Sequence, residues 1–173
     1  LGDLQPGQPW KYDRAQLEAA LRRIQATQRQ LLERTSARIE PFARAQLEMF
    51  VPVEVAVEGG AAGHEVRPVG SAGCYAPGGR FPLPSSVLMT AVTARVAGVA
   101  RVVVASPKPD DLTLAAAAIA GAEQLLAIGG AQAVAALAYG VGDVEAVDMI
   151  VGPGNAWVTA AKKLVAGDVG IDM

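Results

Sequence analysis

Cysteine, histidine and aromatic side chains are all scarce in this sequence. One cysteine and one histidine occur in 173 residues. A single cysteine can neither close an internal disulfide nor build a thiolate zinc cluster, so nothing marks the chain as secreted. Aromatics amount to 5% and the formal net charge is −2. A nucleic-acid binder needs a basic stripe or stacking platforms, and this composition offers neither. Long apolar runs are missing as well. The most apolar stretch, Leu112 to Ile128, is interrupted by Gly121, Glu123 and Gln124, and a bilayer span takes roughly 18–20 residues. Leu1 to Trp10 lacks the basic and apolar parts of a signal peptide. The chain opens on Leu rather than Met and stops at Gly170-Ile171-Asp172-Met173, which reads as a piece of something longer.

Hydrophobic residues make up 51% and charged residues 18%, the balance of a chain that folds around a core rather than staying disordered. The charges are uneven. Residues 1–68 carry 9 basic and 9 acidic groups, whereas the longer stretch 69–173 carries only 6 and 8. Two regions are therefore expected: a solvated helical lead-in with a strand over 1–68, and a core domain over 69–173.

In the first region Asp13 suits an N-cap, and Leu17, Leu21, Ile24, Gln28, Leu31 and Leu32 recur at helical spacing. A second amphipathic piece runs from Ser36 to Met49, with a break expected near Pro41. Val53 to Glu58 alternates in period two, the pattern of a half-buried strand that Gly59-Gly60 and Gly63 close in a turn. The second region has another rhythm. Short apolar runs at Arg101–Ala105, Gln124–Ile128 and Val147–Val151 are interleaved with helical stretches at 84–97, 111–120, 131–139 and 156–166. This alternation predicts a parallel sheet with helical crossovers. Runs apolar throughout mean strands covered on both faces. The expected fold is α/β, a Rossmann-like open, mostly parallel sheet preceded by an N-terminal helical segment.

Ligands in such folds bind at the carboxyl ends of the strands. Three glycine-bearing loops fall there: Tyr75-Ala76-Pro77-Gly78-Gly79, Gly129-Gly130-Ala131-Gln132 and Gly152-Pro153-Gly154-Asn155. Glycine allows a ligand to approach the backbone, and a following helix N-terminus offers N–H groups to an anion such as pyrophosphate. None of the three is the Gly-x-Gly-x-x-Gly fingerprint or a Walker loop. For any one of them alone a structural turn is the better explanation; with three at one sheet edge, a nucleotide-type site and structural turns explain them equally well. Tyr75, Gln132 and Asn155 are then the polar contacts to a ribose, an amide or a base.

Catalytic residue types are few. His64 reads as a surface loop residue, and no His/Cys/Asp/Glu cluster has metal-ligand spacing. Cys74 reads as a small buried residue, because no histidine base lies nearby in sequence. Asp110-Asp111 reads as a helix cap, and Lys162-Lys163 as the solvent side of the last helix, with a phosphate contact as the alternative.

Three blocks carry a resemblance. Gly73-Cys74-Tyr75-Ala76-Pro77-Gly78-Gly79 with Pro82-Leu83-Pro84-Ser85-Ser86-Val87-Leu88-Met89, then Gly129 to Gly140, then Gly152 to Lys162, resemble the histidinol dehydrogenase family in order and spacing. The match is specific from about Val69 to Met173 and general over 1–68. The resemblance implies a cytosolic, zinc-dependent, NAD-linked homodimer of histidine biosynthesis, oxidising L-histidinol through an aldehyde to L-histidine with two NAD+ in turn. Position by position it assigns NAD contacts to Tyr75, Gln132 and Asn155. In the family, the substrate-contacting segment follows an Ile-Asp pair and the zinc ligands and proton-handling Glu-His pair lie further on. Here Ile171-Asp172 is almost the last thing in the chain. The sequence is thus expected to be an N-terminal fragment, without zinc ligands or catalytic bases and inactive alone. Two other readings stand beside it: a paralogue oxidising another small alcohol such as a sulfopropanediol, and a non-catalytic nucleotide-binding module.

Overall fold

A computed structural model of the chain describes residues 7–78 and 81–172. Gly79 of the first glycine-bearing loop and Met173 lie outside the described residues, as do Leu1 to Pro6. The N-terminal region begins with a three-residue strand, β1 (Lys11–Asp13), and continues into α1 (Arg14–Arg23) and α2 (Ala26–Leu47). Asp13 caps α1: its carboxylate accepts the Gln16 N–H at 2.8 Å while the Gln16 side chain accepts the Asp13 N–H at 2.9 Å. This reciprocal box satisfies donors that the first turn of a helix otherwise leaves without partners.

The helical break expected at Pro41 is elsewhere. It falls at Ile24 and Gln25, both with extended backbone, and α2 runs through Pro41. An internal proline loses one backbone hydrogen bond and costs about 3 kcal/mol. Here the helix is anchored on both sides of it by buried Leu32 and Ala43, so tertiary packing overrides the local penalty.

β2 (Val53–Val57) and β3 (Gly60–His64) pair as an antiparallel hairpin, Val53 opposite His64. Period-two alternation gave the strand correctly but not its burial, since every residue of both strands is exposed. Gly63 and His64, expected in a turn or loop, belong to β3.

Beyond residue 70 strands and helices alternate: β4 (Ser71–Tyr75), α3 (Pro84–Val96), β5 (Arg101–Ala105), α4 (Asp111–Ile119), β6 (Gln124–Leu126), α5 (Gly130–Tyr139), β7 (Met149–Val151), α6 (Ala156–Val165) and β8 (Gly170–Ile171). The sheet order is β1-β6-β5-β4-β7-β8, parallel except for β1, which lies antiparallel on β6. The chain winds outward from β4 through β5 to β6, then returns to the other side of β4 for β7 and β8. This is the doubly wound Rossmann-like order, with its reversal between β4 and β7.

Both faces of the central strands are covered, as their unbroken apolar runs require. Ala72, Cys74, Val102, Val104 and Leu125 join the core under α1, α3 and α4. Tyr75, Val103, Ala105, Leu126 and Ile150 join the core under α5 and α6. The alanines 115–118 of α4 are all buried, and their small side chains let α1 lie close through Leu17 and Ala20. Arg14 donates to the carbonyls of Ala118 and Ala122 at 3.0 and 3.2 Å, closing the C-terminal end of α4. Arg23 pairs with Asp111 at 2.6 Å at the other end, and this hydrogen bond holds the Asp111 carboxyl below its usual range. Among the described residues no helix is long and apolar enough to cross a membrane.

Candidate functional site at the switch point

Tyr75 ends the central strand β4 at the topological reversal, and the second and third glycine-bearing loops both touch it. Its hydroxyl accepts the N–H of Gly130, the first residue of α5, at 3.1 Å. Its carbonyl lies against Gly152, where an added Cβ would come within 2.1 Å of the Tyr75 oxygen. Gly152 also has φ +114°, a conformation that only glycine adopts without strain. A side chain at that position is excluded twice over, by φ and by space.

The first loop reaches the same place through the β5–α4 connection. A Cβ on Gly78 would meet the Pro107 carbonyl at 2.4 Å, and one on Gly129 would meet the Pro107 ring at 2.8 Å. All three loops thus gather at the carboxyl edge around Tyr75 and Pro107. Within that cluster Tyr75 is itself buried, 4% exposed, its ring among Val103, Leu126 and Ile150. Its oxygen is occupied as an acceptor by Gly130, and its own proton can still be donated.

Gln132 and Asn155 are exposed, one in the first turn of α5 and the other at the start of α6. Asn155 is the N-cap of α6: its Oδ1 accepts from the N–H groups of Trp157 and Val158, both at 3.1 Å. The cap uses only the oxygen, so the amide Nδ2 stays available as a donor. Helix N-termini carrying exposed amides beside glycine turns make a cradle for a polar, anionic group. The donor set fits a dinucleotide.

Lys162 departs from expectation. Instead of facing solvent it is 1% exposed, donating from Nζ to the Gly152 carbonyl and to Asp172 Oδ1, each at 2.6 Å. Asp172 Oδ2 in turn accepts the Gly152 N–H at 2.8 Å. The lysine and the carboxylate hold both polar groups of the glycine that starts the third loop. The signal was present in the spacing: Val158, Ala161 and Val165 form the buried stripe of α6, and Lys162 lies on that stripe. Lys163, its neighbour, is exposed.

Other reactive types are elsewhere. His64 is exposed at the end of β3. Cys74 is unpaired and buried in β4, and burial pushes its thiol from 9.0 up to about 12. Among the described residues no three His, Cys, Asp or Glu side chains are grouped so as to hold a metal ion. Among the described residues, then, a zinc ion finds no fit. Asp110 caps α4 as expected, accepting the Thr113 N–H at 2.8 Å. On the α3 side of β4 and β7 lies an apolar groove of about 800 Å³, lined in part by Val69, Met89, Thr93, Met149, Gly152 and Asp172.

Comparison with known proteins agrees with this fold. The sequence profile of the histidinol dehydrogenase family matches residues 3–173. The chain is 49% identical over 165 residues to the histidinol dehydrogenase of Pseudomonas putida, covering 93% of this chain and 37% of that protein. It is 45% identical over 168 residues to that of Methanothermobacter thermautotrophicus, covering 94% and 39%. The crystal structure of histidinol dehydrogenase from Elizabethkingia anophelis superposes with a TM-score of 0.83 at 32% identity, covering 96% of this chain and 40% of that one. The chain spans well under half the length of these relatives, and over that span it belongs to the histidinol dehydrogenase family.

Proposed function

We propose that residues 69–173 are an incomplete NAD-binding domain, and that residues 1–68 are a lead-in that lends β1 to its sheet. The whole protein, on this reading, is a cytoplasmic, homodimeric, zinc- and NAD-dependent histidinol dehydrogenase that converts L-histidinol through L-histidinal to L-histidine. The observation that carries the reading is the meeting at Tyr75 of the start of α5 and the glycine loop that leads into α6, with Gln132 and Asn155 exposed at the starts of those two helices.

NAD+, when bound, supplies the hydride acceptor, and the protein supplies binding and orientation. Asn155 caps α6 with its oxygen and turns its Nδ2 to the ligand, while Gln132 offers an amide from α5. Tyr75 donates its remaining hydroxyl proton to the ligand and, by accepting the Gly130 N–H, holds the start of α5 against β4. Zinc comes from the family resemblance and belongs to the whole protein; no residue of this chain is given a part in its chemistry. The exposed Trp157 and Leu164 on α6 supply apolar surface of the kind that subunit association buries.

The test is turnover by the complete protein. L-histidinol should reduce two equivalents of NAD+, while a sulfopropanediol should reduce none. Oxidation of the diol alone would transfer the reading to a paralogue. Reduction by neither alcohol would refute it.

A further inference from the structure

The chemistry proposed above gives Lys162 no role, yet it is among the largest fully buried side chains of the chain. Burying an ammonium group is costly unless it is paired and hydrogen-bonded. Here it is both, and both partners bear on the first residue of the third glycine-bearing loop. One partner is the Gly152 carbonyl. The other is Asp172, whose second oxygen takes the Gly152 N–H. The closed ring Lys162–Asp172–Gly152 joins α6, the residue after β8 and the loop after β7.

We propose that Lys162 is a positioning residue for NAD+, acting through Asp172 to lock the Gly152-Pro153-Gly154-Asn155 turn in its binding shape. The argument is geometric. Gly152 is strained for any side chain and is drawn against the Tyr75 carbonyl, so the turn leaves β7 at an unusual backbone angle. Two hydrogen bonds at its first residue, braced by the Lys162–Asp172 pair, fix that angle. Three residues on, Asn155 must cap α6 with Oδ1 and still face outward with Nδ2. A turn free to pivot at Gly152 would lose that alignment without unfolding the sheet. The apolar neighbours of Lys162 on α6, Val158, Ala161 and Val165, would pack equally well around a methionine, so packing alone does not call for a lysine.

The proposal rests on the NAD-binding reading, and its test separates the two. In the complete protein, Lys162→Met keeps the volume and removes the donor. It should raise the KM for NAD+ about tenfold, with a smaller effect on kcat and none on the KM for the alcohol. Lys162→Met combined with Asp172→Asn relieves the unpaired carboxylate while keeping an acceptor for Gly152, and serves should the single variant fail to fold. The double variant should show the same rise. An unchanged KM for NAD+ in folded variants, with only the melting temperature lowered, would make the lysine a purely structural residue and overturn the proposal. Failure of the parent protein to bind NAD+ would overturn the nucleotide reading and this proposal together.

Discussion

The hydroxyl of Tyr75 accepts the backbone N–H of Gly130 at 3.1 Å, tying the end of the central strand to the first residue of α5. A buried side chain thereby shapes the exposed cradle next to it. Tyr75→Phe removes the acceptor and leaves the ring. The folded state should lose about 1 kcal/mol, the usual net value of such a bond, measured by urea unfolding. NAD+ affinity should fall in the same variant, since the start of α5 is no longer held.

Gly152→Ala should be far more damaging. The new methyl group would lie 2.1 Å from the Tyr75 carbonyl at a φ of +114°. Backbone strain and overpacking each cost about 1–3 kcal/mol, so unfolding should shift by at least about 2 kcal/mol. Gly142, also at positive φ but with open space around it, is the control: Gly142→Ala meets the strain without the clash and should cost less.

Asn155 has two duties that substitution separates. Asn155→Ala loses the α6 cap and should destabilise by about 1 kcal/mol. Asn155→Asp keeps the cap, because aspartate serves equally well there, and should leave the melting temperature at or above that of the parent. It should nevertheless weaken NAD+ binding, by replacing the Nδ2 donor with a negative charge. A parallel fall of stability and affinity in both variants would contradict the separation.

The sequence made the sheet legible wherever a strand was a continuous apolar run, as at Arg101–Ala105. It hid β4, because Ser71-Ala72-Gly73-Cys74-Tyr75 is too small in side chains to look like a strand. That smallness is what the fold uses: a Cβ on Gly73 would lie 2.9 Å from Leu137, so α5 can sit close only over glycine. β1 was hidden for another reason, since three residues show no periodicity and only pairing with β6 defines them. The loops at the carboxyl edge were readable from their glycines. Their clamp was not, because a Lys-Lys pair looks like surface until the stripe Val158, Ala161, Val165 is drawn through it. Exposure of the β2–β3 hairpin could not be read at all: alternation describes a strand's two faces and says nothing of what covers them.

Cys74 gives a pH prediction. Its thiol rises from 9.0 to about 12, chiefly by desolvation, so between those values the unfolded chain ionises while the folded one keeps its proton. The unfolded state then binds fewer protons, and stability falls as pH rises. The stabilisation is complete below pH 9.0 and is lost progressively toward pH 12. Urea unfolding across that range should show the decline, and Cys74→Ala should flatten it. A thiol reagent at pH 8 should label Cys74 only on unfolding, the thiolate being the reactive form.

The central claim is the location of the nucleotide at the β4–β7 reversal, and a crystal structure of the complete protein with NAD+ bound tests it most directly. The account predicts NAD+ at the carboxyl ends of β4 and β7, within hydrogen-bond distance of Asn155 and Gln132, with Lys162 still holding Gly152 beneath it. NAD+ bound in the apolar groove beside α3, or anywhere else that leaves Asn155 and Gln132 untouched, would contradict it.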